Sequence, residues 1–482
     1  MDGKILKRNY RLEMIHGEDV DKIIQGAIQL LGKVGVEYQD RKALEALETT
    51  GAQVDYKTNI ARFTPEQVKD ALMKVAPKFD WYYKNFDQKL EIGGDNVYFG
   101  ISTYDHYILD YENMQRRLAT LADIGKFLVL DDTLENIDIQ GPEVVPHDVP
   151  VPLMQIKAAE MLFTYVRKGL LFSMLNRNDA KYILKMAEVI AGGKKNLRKR
   201  PFMIVPICPA SPFKYQKDVV DLIFAATEHG LPVMVGPCPI CGISSPVTLA
   251  GTITQALAEQ LAGILLAKAI DKQVPVCAGS TPFMVNFREG NLLAGAPERV
   301  LVEAVLAQIH QHLHVPCTGS GTMSDAKIPT IQMGYEKGMG LLLLSLAGSN
   351  HVNACPVLDE GNTTAFEQHL IEADAVGMAT RMLNGVTVSD ETLALDVIQK
   401  AGRQADFLKS PHSLKHAKTE HWLPNVMFRG SWRIFEQQRT TVVKTATEKT
   451  REIWNKRQLA ALPEDIAGEI RAIVKEAEKE LS

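Results

Sequence analysis

Cys317-Thr-Gly-Ser-Gly-Thr-Met-Ser-Asp-Ala-Lys-Ile-Pro-Thr-Ile-Gln-Met-Gly-Tyr-Glu-Lys337 follows a short apolar run and reads as strand end, glycine-rich loop and helix. Gly319 and Gly321 permit backbone angles and close approaches that a side chain would block. Ser324 or Asp325 is placed to cap the helix running through Gln332, Tyr335 and Glu336. A polar loop held between two rigid elements is a natural seat for chemistry. What the unit means for the fold depends on whether it recurs.

It recurs along most of the chain. Short apolar runs stand at 97–102, 137–141, 170–174, 202–208, 232–236, 275–279, 315–319 and 351–358. Helical patterns follow at 152–168, 179–190, 218–229, 249–270, 297–313, 330–346 and 366–383. Near-continuous apolar strands alternating with helices predict an α/β protein built as a closed (β/α)8 barrel of the TIM type, with an open doubly wound sheet as the second choice. Ahead of the barrel, helices at 18–34 and 64–76 and a hairpin at 54–63 predict an N-terminal helical cap over residues 1–95. The barrel then spans 96–388, and 389–482 forms a C-terminal helical extension packing on the barrel or on a second subunit.

Composition limits the function. With 482 residues, 46% hydrophobic and 23% charged, the chain has enough apolar matter for a large core. The net charge is −4 and basic residues form no stripe, which argues against nucleic acid and anionic membrane partners. Met1 to Asp19 carries charges throughout without an apolar signal core, and the most apolar run, 339–348, is too short to span a bilayer, so a cytoplasmic protein is expected. Six cysteines in a chain of this length do not suggest a disulfide scaffold.

In a barrel the loops after the strands meet at one mouth. Here they carry aromatics, small polar groups and few bases, as in Ser102-Thr-Tyr-Asp-His106 and Gly236-Pro-Cys-Pro-Ile-Cys241. Cys238 and Cys241, with Cys277 one strand on, have the spacing of a zinc-thiolate site, yet no closing ligand is evident and no metal ligand is assigned. His412, His416 and His421 lie between Pro411 and Pro424 and read as surface residues. Gly319-Ser-Gly-Thr322 could cradle phosphate, but no Lys-Ser/Thr follows it, and no Gly-x-Ser-x-Gly elbow supports acyl transfer. Rings near the first strand (Tyr98, Tyr104) and the eighth (Phe366) suit core or rim. Rings gathered at a mouth also suit a quaternary ammonium, which donates no hydrogen bond and is held by π faces at ~0.5–2 kcal/mol each.

Several motifs in order carry a family resemblance: Pro246 through Gly263, Pro297-Glu298, Ser324-Asp-Ala-Lys327, Gln332-x-Gly-Tyr-Glu-Lys337, Leu346-Ala-Gly-Ser-Asn350, Asp110 through Arg117, and Asp406-Phe-Leu with His412 and His416. Together they resemble the trimethylamine methyltransferase family. That resemblance implies a (β/α)8 barrel and methyl transfer from an amine to the cob(I)alamin of a separate corrinoid protein. This chain would then bind no cofactor tightly, cob(I)alamin and methylcobalamin being supplied by the partner, and it has no Asp-x-His-x-x-Gly corrinoid signature. Founding members carry pyrrolysine in the loop quoted first, whereas every position from Cys317 to Lys337 here is an ordinary residue. The chain therefore resembles the non-pyrrolysine branch, which demethylates quaternary amines such as glycine betaine.

Barrel position then assigns His351, Phe366, Tyr98 and Tyr104 as ammonium contacts, and Arg177 as a carboxylate partner. Asp325 and Glu336 are the expected catalytic-loop residues, with Gln332 beside them toward the substrate. Expected partners are the corrinoid protein, the small quaternary amine and further copies of the chain. A zinc-thiolate methyltransferase and a non-catalytic betaine-binding protein remain the rival readings.

Overall fold

Eight parallel strands form the centre of the computed structural model, which describes residues 6–404 and 406–481. They are β1 (Asn96–Ile101), β2 (Ile139–Gln140), β3 (Gly169–Leu171), β4 (Met203–Ile207), β5 (Val233–Val235), β6 (Val276–Ala278), β7 (Thr318–Gly319) and β8 (His351–Asn353). The sheet runs β6-β5-β4-β3-β2-β1-β8-β7, and a parallel bridge between Ala278 and Cys317 joins its two ends. The barrel is thus closed, and the open-sheet alternative is set aside. Each expected apolar run overlaps its strand.

Helices follow the strands in turn: α1 (Leu121–Asp131), α2 (Met154–Tyr165), α3 (Arg177–Ala191), α4 (Lys217–His229), α5 (Leu249–Ile270), α6 (Pro297–His312), α7 (Ile331–Ala347) and α8 (Phe366–Leu383). Two of them, α5 and α8, match the expected bounds end to end. The sequence reading lacked α1, although Thr120 and Asp123 form a capping box at its start. It also lacked the hairpin Tyr107–Asp110 with Gln115–Leu118, whose second strand, Gln-Arg-Arg-Leu, is exposed throughout.

The first 95 residues are less helical than expected. Helices Gly17–Lys33, Arg41–Glu48 and Pro65–Met73 accompany an antiparallel sheet containing Val36–Tyr38, Gln53–Asp55 and Ile60–Arg62. These helices lie against the outer face of α5. Sandwiched this way, α5 carries apolar residues on all sides: within its 22 residues an 18-residue stretch has a mean hydropathy of 1.2, enough by length and composition for a bilayer, yet 78% of that stretch is buried. A further hairpin that the sequence reading lacked, Lys78–Tyr82 with Lys89–Gly93, closes the bottom of the barrel. Its alternate residues Phe79, Trp81, Leu90 and Ile92 enter the lumen and pack with Tyr98, Ile139, Leu171, Ile204 and Cys277. The lower lumen is therefore a packed plug, and any site lies above it.

In the C-terminal extension, Val442–Lys456 packs on α8 and α1, and Glu464–Leu481 on α2 and α3. The intervening stretch exposes Val386, Val388, Leu408 and Leu423, each at least 74% accessible.

Candidate active site

Above the plug, at the C-terminal ends of the strands, lies a cavity of ≈ 250 Å³. That is below the roughly 300–1,000 Å³ of sites for drug-sized ligands. Residues after β1, β3, β4, β5, β6, β7 and β8 all contribute to its wall, and no lysine or arginine is among them. His351 forms part of the floor. Its ring stands edge-on to Trp81 of the plug, with centroids 6.3 Å apart. There is room for the imidazole because Gly100, on the neighbouring strand, has no side chain: a Cβ there would lie 2.3 Å from Nε2. Neither ring nitrogen is hydrogen-bonded, and burial lowers the imidazole to about 3, so the ring is neutral.

Asp105 is the cavity's one carboxylate. It is wholly buried, and neither oxygen has a hydrogen-bond partner. Burial pushes its carboxyl up to about 8. Close by, the Tyr104 hydroxyl accepts a 2.6 Å bond from the Ser173 amide, which fixes the ring across the β1 and β3 ends. Asn353 ties β8 to β1 through a pair of bonds with the Ser102 backbone, at 3.1 and 2.6 Å. Cys355 also faces the cavity. Its thiol donates to the Ser320 carbonyl at 3.1 Å, and burial pushes it up to about 12, so it is no thiolate nucleophile.

The loop after β7 supplies another wall and is pinned from three sides. From α6, the buried pair Arg299–Glu303 grips it: Arg299 donates to the Gly321 carbonyl at 2.9 Å and the Ser320 hydroxyl at 2.6 Å, and Glu303 accepts from the Ser320 amide and hydroxyl, each at 2.7 Å. Lys337 on α7 donates to the Thr322 carbonyl at 2.9 Å and pairs with Glu372 of α8 at 2.9 Å. Farther along, Glu336 accepts from the Ser324 hydroxyl at 2.5 Å and the Asp325 amide at 3.0 Å. Gly321 has φ +98°, and a Cβ on it would sit 1.6 Å from the Asn353 carbonyl oxygen. Only glycine fits there.

The expected site residues divide accordingly. Tyr104 and His351 line the cavity together. Tyr98 points down instead, its hydroxyl accepting from the Glu91 amide at 3.1 Å in the bottom hairpin. Phe366 lies on the outer flank, its ring 4.4 Å from Phe127 and 4.9 Å from Trp454. Asp325, Glu336 and Gln332 form one network that braces the seventh loop from outside the cavity wall, Gln332 donating to Glu336 at 2.8 Å. Arg177 begins α3 as an exposed residue and does not line the cavity.

The thiols proposed for zinc do not converge. Cys241 donates to the carbonyls of Pro246 and Val247, and Cys277 is sealed in the plug. Cys238 donates to the Gly236 carbonyl at 3.7 Å, and the neighbouring Cys208, at the cavity rim, is lowered from the usual thiol value by the Cys238 thiol. Sequence reasoning also passed over Asp105, Asn353 and the Arg299–Glu303 pair. Asp105 stood in the first loop with nothing in the sequence to distinguish it, and Arg299 and Glu303 carried the i,i+4 spacing of an ordinary helical ion pair.

A closed barrel with a small cavity at its C-terminal mouth, lined by no lysine or arginine, is the scaffold of a small-molecule enzyme. The family described as trimethylamine methyltransferase (MTTB) matches residues 2–482, and the chain belongs to it. It is 29% identical over 470 residues to a trimethylamine methyltransferase MttB of Desulfitobacterium hafniense (strain DSM 10664 / DCB-2), covering 96% of this chain and 93% of that one. It is 27% identical over 469 residues to a glycine betaine methyltransferase of D. hafniense (strain Y51), covering 96% and 97%. Among solved structures, the monomethylamine methyltransferase MtmB of Methanosarcina barkeri aligns with a TM-score of 0.49 at 14% identity, over 90% of this chain and 94% of that one. Family membership makes this chain a methyltransferase acting on methylated amines.

Proposed function

We propose that the chain transfers a methyl group from a small quaternary amine, glycine betaine or a related compound, to the cob(I)alamin of a separate corrinoid protein. The observation that carries this reading is Asp105: a buried carboxylate with neither oxygen partnered, in a cavity whose lining has no cation. Burial holds the Asp105 carboxyl largely protonated near neutral pH in the empty cavity; a quaternary ammonium brings the positive charge that favours its ionised form, asks for no hydrogen bond, and suits a cavity also lined by His351, Tyr104 and the Met234 thioether.

The residues of this chain position the substrate and exclude water; they do no acid–base work. The neutral imidazole of His351 offers a π face without a competing charge. The pinned seventh loop and the Asn353 clasp keep the wall rigid, so the ammonium is held with one methyl toward the open mouth. A cavity of ≈ 250 Å³ has room for a small amine but not for a corrin ring, in keeping with a cofactor that arrives on another protein. A corrinoid docked at the mouth would supply the Co(I) nucleophile for the methyl group, and the ammonium held by this chain's residues would keep the C–N electron pair and depart as a neutral tertiary amine. No proton moves. A betaine carboxylate meets hydroxyl and amide groups in this cavity, and Arg177 lies outside it.

Mixing the purified protein with reduced corrinoid protein and a panel of betaines, carnitine-like compounds and choline tests the reading. Loss of the Co(I) absorbance with at least one quaternary amine, and not with its demethylated product, is expected. Transfer from trimethylamine alone would overturn the substrate class, and calorimetric binding without transfer would make the chain a binding protein.

A further inference from the structure

Beside the cavity, outside the barrel wall, three ionisable side chains meet with almost no solvent contact: Asp131 at the end of α1, Glu143 just after β2 and His369 in the first turn of α8, at 0%, 2% and 0% accessibility. One ligand-type atom from each lies within 4.8 Å of the others, and among the described residues no other group of three His, Cys, Asp or Glu side chains does this. The amine-methyl chemistry proposed above uses none of them.

We propose that Asp131, Glu143 and His369 form a binding site for one divalent transition-metal ion, with His369 Nε2 and the Glu143 carboxylate as direct ligands. The bonding pattern favours it. His369 Nδ1 lies 2.6 Å from one Asp131 oxygen, and the ring stacks on Phe127 at 4.6 Å, so the imidazole is fixed with Nε2 turned away from Asp131. That arrangement, a carboxylate holding one ring nitrogen while the other is free, is how metal-binding histidines are oriented. Nε2 has no hydrogen-bond partner, nor has either oxygen of Glu143 or the second oxygen of Asp131. Four polar atoms of these three buried side chains are thus unmet.

Direct pairing does not satisfy them, because Nε2 and the nearest Glu143 oxygen are 3.8 Å apart, too far for a hydrogen bond. An ion bound at ~2.0–2.2 Å from each atom bridges such a gap. The local charge also favours a cation. The neighbouring cation, Lys168, spends its ammonium on the carbonyls of Asp131 and Leu134, at 3.0 and 2.7 Å, and Lys337 is paired with Glu372. A mixed imidazole and carboxylate donor set selects zinc, manganese, iron or cobalt over calcium or magnesium, which prefer oxygen alone.

Such an ion would tie the ends of α1, β2 and α8 together directly behind the cavity wall. The Glu143 carbonyl accepts from the Asp105 amide at 3.0 Å and from the Thr103 hydroxyl, so the backbone that carries Asp105 rests on the proposed ligand. The role is structural, holding that wall in place.

Elemental analysis tests this on protein produced without a metal-binding tag in minimal medium supplemented in turn with zinc, manganese, iron or cobalt. About one ion per chain is expected in at least one medium, retained in Cys238→Ser and lost in Glu143→Gln and His369→Gln. The cobalt form should show nitrogen/oxygen-type visible bands without thiolate charge transfer. Less than roughly a tenth of an ion per chain in every medium, or full occupancy in a folded Glu143→Gln/His369→Gln double variant, overturns the site. Should the variants fail to fold, the X-ray absorption spectrum of whichever ion the wild type holds decides: a nitrogen/oxygen ligand shell supports the site, and a sulfur shell refutes it.

Discussion

Replacing Asp105 with Asn keeps the shape of the side chain and removes the cavity's only carboxylate, so it isolates the electrostatic part of ammonium recognition. For charges ~5 Å apart at an effective dielectric of ~20, the attraction is ~3 kcal/mol. Salt screens a buried pair weakly, so most of this survives at physiological ionic strength. Part is offset, because Asn also escapes the cost of keeping an ionised group in a dry site; a net loss of about 2 kcal/mol, or ~30-fold in Kd, is the working value. Calorimetry should be run at pH 9, above the value of about 8 to which burial pushes this carboxyl. Glycine betaine should weaken by that factor. Its carbon isostere 3,3-dimethylbutanoate, in which a neutral tert-butyl group replaces the trimethylammonium, should bind the variant as well as or better than wild type. Equal losses for both ligands, or a change in betaine affinity below threefold in a folded variant, would refute the assignment of Asp105.

Arg299→Met strands the buried Glu303 carboxylate and should cost ~3–5 kcal/mol in denaturant unfolding, much of it recovered in Arg299→Met/Glu303→Leu; a single-variant loss under about 1 kcal/mol would contradict the pinning of the seventh loop. Gly321→Ala drives a Cβ to within 1.6 Å of the Asn353 carbonyl oxygen at φ +98°, so methyl transfer should collapse along with roughly 2 kcal/mol or more of stability; a variant active at the wild-type rate would show that the loop adjusts freely. Lys84, its ammonium bonded only to the Phe163 carbonyl at 2.6 Å, is lowered by burial from 10.5 to about 7. Between those values the unfolded chain holds the proton that the folded one lacks. Its contribution to stability therefore rises with pH across that window, by at most ~5 kcal/mol, and the penalty is fully felt below pH 7. The difference between wild type and Lys84→Met in unfolding free energy should shrink as pH rises from 7 to 10, and a constant difference would remove the effect.

The barrel was legible because its strands are buried on both faces. Apolar runs of a few residues alternating with helices leave little else that chain can build, and β2, only two residues long, still sits inside its run at 137–141. What escaped did so for identifiable reasons. The hairpin at 107–118 offers Gln115-Arg-Arg-Leu118, exposed on both faces, so it has no alternation to detect. The bottom hairpin does alternate, but Phe79 and Trp81 bury against strand starts far along the chain, and a local pattern cannot say which surface it covers.

The site was legible only as a set of loops. Tyr98 and His351 are register partners on adjacent strands and both enter the lumen, yet Tyr98 reaches the Glu91 amide below while His351 meets the cavity above; nothing local separates those outcomes. Asp105 matters because no partner reaches it, and a missing partner is a property of the assembled mouth. The seventh loop is the instructive case. Its residues suggested chemistry, but Asp325, Gln332 and Glu336 brace the loop from behind, and what it turns to the cavity is Thr318, Gly319, Ser320 and Met323. These groups are uncharged and, with Arg299 and Lys337 fastening the backbone, hold a fixed shape. Here a neutral, rigid wall faces a lone carboxylate from the first loop. Such a division suits a substrate that carries its own positive charge and needs only to be held still.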